Sequence, residues 1–142
     1  MKSNTRFHAL LLSFCLYLAC SPLSSFAETE GPYRYSVQND GSAVITYFSA
    51  SSYSGPLSVP STLGGHTVVA IGGFGNCYDI TSVVVPPGVR TINDSAFVSC
   101  RAMKTITIPS SVTQLGADVF YNTGLTDHYC PVKFEPITRS AL

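Results

Sequence analysis

A chain of 142 residues is long enough for one domain and too short for two substantial ones. It is 45% hydrophobic and only 11% charged, which excludes intrinsic disorder. Its formal net charge is zero and no lysine–arginine block occurs, which argues against a nucleic-acid partner. Eight tyrosines, eight phenylalanines and abundant threonine, valine and serine favour strand over helix.

The first segment reads as targeting. Lys2 and Arg6 precede an apolar run from Ala9 to Ala19, then the polar stretch Ser21-Pro22-Leu23-Ser24-Ser25. Small residues at Ser25 and Ala27, before Glu28, complete a secretory signal over residues 1–27, cut after Ala27. The run is shorter than the roughly 20 apolar residues of a membrane span, so none is expected in the mature chain. Cys20 behind Ala19 offers an alternative lipoprotein anchor, although Tyr17 stands where such signals carry an aliphatic residue. Cleavage leaves 115 residues with six Lys/Arg against eight Asp/Glu, secreted or held at the cell surface. Three cysteines remain, Cys77, Cys100 and Cys130, facing an oxidising compartment.

Residues 28–55 form the next unit. Tyr35-Ser36-Val37 and Val44-Ile45-Thr46-Tyr47-Phe48 flank Asn39-Asp40-Gly41-Ser42, and Asp-Gly between apolar-rich segments predicts a β-hairpin. Such a hairpin would cap the following unit and cover its open sheet edge.

A period of 23 runs through residues 56–124. Ile80-Thr81-Ser82-Val83-Val84-Val85-Pro86 aligns with Met103-Lys104-Thr105-Ile106-Thr107-Ile108-Pro109, and Val89 and Ile92 align with Val112 and Leu115. Phe74, Phe97 and Phe120 share the spacing, as do Cys77, Cys100 and Thr123. Leu57-Ser58-Val59-Pro60 is an earlier copy, 26 residues ahead, with the extra length near Gly64-Gly65-His66. Val83 and Val85, like Ile106 and Ile108, show the strand period of two, and each strand ends at a proline. A short helical or 3₁₀ turn is expected over 93–99 and 116–122. No such unit buries its apolar face alone, so the prediction is a mainly β solenoid of stacked coils. The period fades over 125–142, leaving a degenerate C-terminal cap or a truncated repeat.

The pattern Phe97-x-x-Cys100, Met103, Ile106, Ile108-Pro109, Val112 and Leu115 resembles the BspA-like, or Treponema-type, leucine-rich repeats. Tyr35-x-Val37, Ile45-Thr46-Tyr47, Leu57-x-Val59-Pro60-Ser61-Thr62-Leu63-Gly64-Gly65-His66 and Val69-x-Ile71-Gly72 are similar to the entry segment of these proteins. The resemblance implies a right-handed stack, found on bacterial or protist surfaces, with adhesin-like members and no catalytic residues to transfer.

The chemistry-bearing residues are sparse. Cys77 and Cys100 should lie on adjacent coils, either as a buried pair of free thiols or as a disulfide. His66 and His128 are isolated, no short Cys-x-x-Cys clip occurs, and no Gly-x-Ser-x-Gly elbow is present, so neither a metal, a cofactor nor catalysis is expected. Asp79, Asp94 and Asp118 read as turn or cap residues. A binding face is expected instead from Ser58, Ser82, Val84, Lys104, Thr105 and Thr107, a nearly neutral strand surface suited to an extended extracellular protein or glycan. The alternative is a structural role, with solenoid ends self-associating.

Overall fold

The computed structural model describes residues 27–51 and 53–125. The expected signal, Ala27 excepted, therefore lies outside the described residues, as do His128, Cys130 and the tail beyond Leu125.

The described residues begin with three antiparallel strands, β1 (Ala27–Glu30), β2 (Tyr33–Val37) and β3 (Ala43–Phe48). Asp40 closes the β2–β3 turn. Its Oδ1 accepts from the Ser42 amide at 3.0 Å and from the Ser42 hydroxyl at 2.6 Å, which lowers its pKa below the ordinary carboxylate value. Then the winding begins. β4 (Gly55–Ser58), β5 (Thr62–Leu63), β6 (His66–Ile71), β7 (Ile80–Val84), β8 (Thr91–Ile92), β9 (Thr105–Thr107) and β10 (Gln114–Leu115) follow in chain order.

Apart from β5, which pairs antiparallel with β6, these strands make two parallel stacks. β3, β6, β8 and β10 lie side by side in one sheet, extended by β2 and β1 at one end. β4, β7 and β9 form the other. Of the aligned apolar residues after each proline, Ile92 and Leu115 lie in β8 and β10 of the first sheet, while Val89 and Val112 sit in the turns just before them. The hairpin caps only that sheet, because β3 pairs parallel with β6.

Register holds while coil length varies. Ile45 pairs with Ile71, 26 residues on, Ile71 with Ile92 after 21, and Ile92 with Leu115 after 23. Leu57 meets Val83 after 26 residues and Val83 meets Ile106 after 23. A one-residue slip would turn each inward side chain to water, so the buried rows fix the pairing. Val83, Val85, Val89, Ile92, Met103, Ile106, Ile108 and Val112 are all buried.

A phenylalanine ladder runs through the third side of the stack. Phe48 stacks on Phe74 at 5.2 Å between ring centroids, Phe74 on Phe97 at 5.2 Å, and Phe97 on Phe120 at 6.1 Å. Phe48, the first rung, falls outside the 23-residue period because it belongs to the hairpin.

The segments 93–99 and 116–122 are turns, and no helix occurs among the described residues, which corrects the helical expectation. The cause is a repeated left-handed backbone. Asn76, Ser95, Ser99, Asp118 and Asn122 all have φ between 52° and 62°, and a left-handed residue interrupts any helical run. Ala96, Val98 and Cys100 amides donate back three residues, closing separate turns. Ser95, Phe97 and Ser99 amides donate instead to Ala117, Val119 and Tyr121 carbonyls of the next coil at 2.8 to 3.0 Å. Asp94 adds a rung, its Oδ1 accepting from the Ala117 amide at 2.8 Å. Gly116 is needed there, because a Cβ would collide with the Asp94 backbone. Gly73, at φ 75°, meets the Thr46 carbonyl in the same way.

The N-terminal cap is pinned by two carboxylates. Tyr35 donates to Glu28 Oε2 at 2.8 Å, and the Gly64 amide donates to Glu30 Oε2 at 2.6 Å. The Glu28 hydrogen bond, then burial, then the charges of Glu28 and Glu30 push Tyr35 from 10.0 up to about 12.

Two outcomes follow from this packing. Phe97→Ala removes the middle of the ladder and should cost about 3–5 kcal/mol, read as a collapse of the urea midpoint, whereas Phe97→Leu should lose far less. Tyr35 holds its proton to about pH 12 when folded, against 10.0 when unfolded. Its contribution to stability is therefore complete below pH 10 and fades as pH climbs toward 12. Ultraviolet titration should show a late-ionising tyrosine that Tyr35→Phe removes.

Candidate functional site

The expected binding residues fall on the outer face of the three-stranded sheet. A bulge sets that face: Gly55 pairs with Ile80 but Pro56 with Ser82, so Thr81 is the extra residue. From Ser82 onward the alternation is regular, with Val83 and Val85 buried and Val84 exposed. Ser82 pairs with Thr105, and Val84 lies between Ser58 on one side and Thr107 on the other. The result is a grid of hydroxyls around an apolar centre, since Val84 is 45% exposed. Neighbouring strands stand about 4.8 Å apart, so three strands span about 10 Å.

Lys104 stands apart from this grid. It precedes β9, its amide donates to the Thr81 carbonyl at 2.8 Å, and its Nζ lies beside Gly124.

One edge strand of the sheet, β4, is protected by its own residues. Pro56 has no amide hydrogen to offer a visiting strand, and its carbonyl accepts the Tyr53 hydroxyl.

Cys77 and Cys100 are buried and both are free thiols. Cys100 donates to the Phe74 carbonyl of the preceding coil at 3.1 Å. At the equivalent place Thr123 donates to the Phe120 carbonyl at 2.9 Å. Thr123 thus bonds within its own coil where Cys100 reaches back to the preceding one, and the Cys77 sulfur lies 3.9 Å from the Gly75 carbonyl. Contact with Cys100, and then burial, raise the Cys77 thiol above its ordinary pKa, so it stays protonated and poorly nucleophilic near neutrality.

The comparisons with known proteins agree with this architecture. A model described as "BspA type Leucine rich repeat region (6 copies)" matches residues 67–142. The chain belongs to this family. The BspA-type match includes the tail, whose structure lies beyond the described residues. A search of curated proteins finds no match.

Solved structures carry the same fold. A leucine rich cell surface protein from Faecalibacterium prausnitzii is 27% identical, with a TM-score of 0.58 over 72% of this chain and 30% of that one. The chain thus spans under a third of that protein's length. A leucine-rich repeat protein from Bacteroides capillosus is 26% identical, with a TM-score of 0.53 over 75% of this chain and 97% of that one. A leucine-rich repeat protein from Bacteroides ovatus, 19% identical with a TM-score of 0.54, shares the fold.

The thiol geometry has a direct readout. Native protein should resist alkylation at Cys77 and Cys100, and denaturation without reductant should expose both to the reagent. Protection that persists until a reductant is added would mean the two are bridged.

Proposed function

We propose that this BspA-type stack is an exported, adhesin-like binding module, contacting an extracellular protein or glycan through the outer face of β4, β7 and β9. The observation that carries the reading is the grid itself: Ser58, Ser82, Thr105 and Thr107 in register around exposed Val84. An apolar centre with a hydroxyl rim follows the anatomy of protein interfaces. Holding such a face on a stacked scaffold removes the ordering cost that a flexible loop would bring to binding. The Faecalibacterium relative, described as a cell surface protein, supports the location. The reading is non-catalytic: the stack presents a surface, and its buried interior is filled by side chains.

The double variant Thr105→Asp, Thr107→Asp places two carboxylates on this neutral face at exposed positions. Attachment to immobilised matrix proteins and glycans should fall about tenfold or more, equivalent to about 1.4 kcal/mol, with the circular dichroism spectrum retained. Unchanged attachment would remove this face from consideration. Sedimentation over a wide concentration range separates the assembly alternative, which requires self-association that grows with concentration.

A further inference from the structure

A second surface feature lies where the hairpin meets the first coil. A groove of about 460 Å³ runs between the end of β3 and the turn after β6, lined by Tyr47, Ser51, Tyr53, Asn76, Tyr78 and Asp79. Its volume is within the usual range for small-ligand clefts. It shares no residue with the strand face described above.

Its rings are held in the open. Tyr47 is 48% exposed and Tyr78 is 53% exposed, two of the four large hydrophobic side chains so exposed among the described residues. Neither ring floats. The Arg34 guanidinium sits over the Tyr47 ring, 5.4 Å from its centroid, and Arg101 over the Tyr78 ring at 6.0 Å. The Tyr78 hydroxyl donates to Asn76 Oδ1 at 3.1 Å. Tyr53 is fixed by edge-on packing against Phe48 and by its bond to the Pro56 carbonyl. Asp79 uses its main-chain carbonyl to receive the Gly55 amide at 2.9 Å, and its side chain is exposed at the rim.

The chemistry selects one class of occupant. Half-exposed aromatic faces attract weakly positive C–H groups, and a few fixed polar atoms beside them orient hydroxyls. A cationic ligand is disfavoured, because the two guanidiniums already sit on these rings and would repel it. For an anionic ligand the Asp79 carboxylate offsets one of the two guanidiniums, which leaves the groove with little preference for a charged occupant. A neutral pyranose offers both complements, with C–H groups on its face and hydroxyls on its edge. We propose that this groove is a subsite for a neutral oligosaccharide, with Tyr78 as the stacking platform and the Asp79 carboxylate accepting from sugar hydroxyls. The site stands independently of the strand-face reading.

The test uses full-length mature protein and hexamers of glucose, mannose, galactose and N-acetylglucosamine, titrated by calorimetry to 10 mM sugar, about the floor of measurable affinity. At least one hexamer should bind saturably. Tyr78→Ala should weaken that binding by about tenfold or more, while Tyr78→Phe, which keeps the ring, stays within about twofold. Asp79→Asn should weaken it less than Tyr78→Ala. Thr105→Asp should leave it unchanged, so loss of the strand-face reading and loss of this one are told apart. Because Tyr78 and Asp79 are exposed, both variants should keep the wild-type dichroism spectrum and urea midpoint. Absence of binding by all four hexamers, or binding indifferent to Tyr78→Ala, would overturn the assignment.

Discussion

Every coil in this protein is unstable by itself, and its apolar side chains find cover only in the coil above and the coil below. The phenylalanine ladder shows the dependence most directly. Phe74 and Phe97 are completely buried, each between two other rings, while Phe120 at the far end retains slight exposure. Stability in such an array is a sum over contacts between neighbours, so the inner rungs carry more than the outer ones. The hairpin matters for the same reason. By offering Phe48 as a rung and β3 as a strand, it gives the first coil a neighbour that the repeats themselves do not supply.

Burial of the apolar rows fixes the register, and polar contacts between coils reinforce it with directional bonds. Backbone amides at Ser95, Phe97 and Ser99 reach carbonyls in the next coil, while side chains such as Asp94 and Ser111 repeat the same coil-to-coil step. These bonds are directional where burial is not. Glycines at positions 73 and 116 let the backbones approach closely enough to form them. The outer strand face inherits this precision, since Ser58, Val84 and Thr107 line up only because the rows beneath them do.

Much of this was readable from spacing. Columns such as Val83 over Ile106 follow from a period that any packed stack must respect, and Asp40-Gly41 announced the hairpin. The turns were less legible. Asn76, Asp118 and Asn122 are of types that tolerate left-handed backbone, but Ser95 and Ser99 are not, and nothing in those serines separates the turn from a short helix. Phe48 escaped because its distance to Phe74 is 26 rather than 23, although Leu57 and Val83 show that same longer step. The tyrosine groove was invisible for a different reason. Tyr47 and Tyr78 come from different structural units, and only the winding of the chain brings them to one cleft.

The unequal steps of 26, 21 and 23 residues between paired positions show how the architecture absorbs change. Added or missing residues are taken up at the bends and at bulges such as that of Thr81, leaving the buried rows in register. Insertions and deletions at a bend are therefore a route by which descendants of this chain could reshape their outer contour without disturbing the interior. The corner between Phe48 and Gly55 already carries part of the aromatic cleft. Selection acting on bend length alone could widen, deepen or erase that cleft in one step.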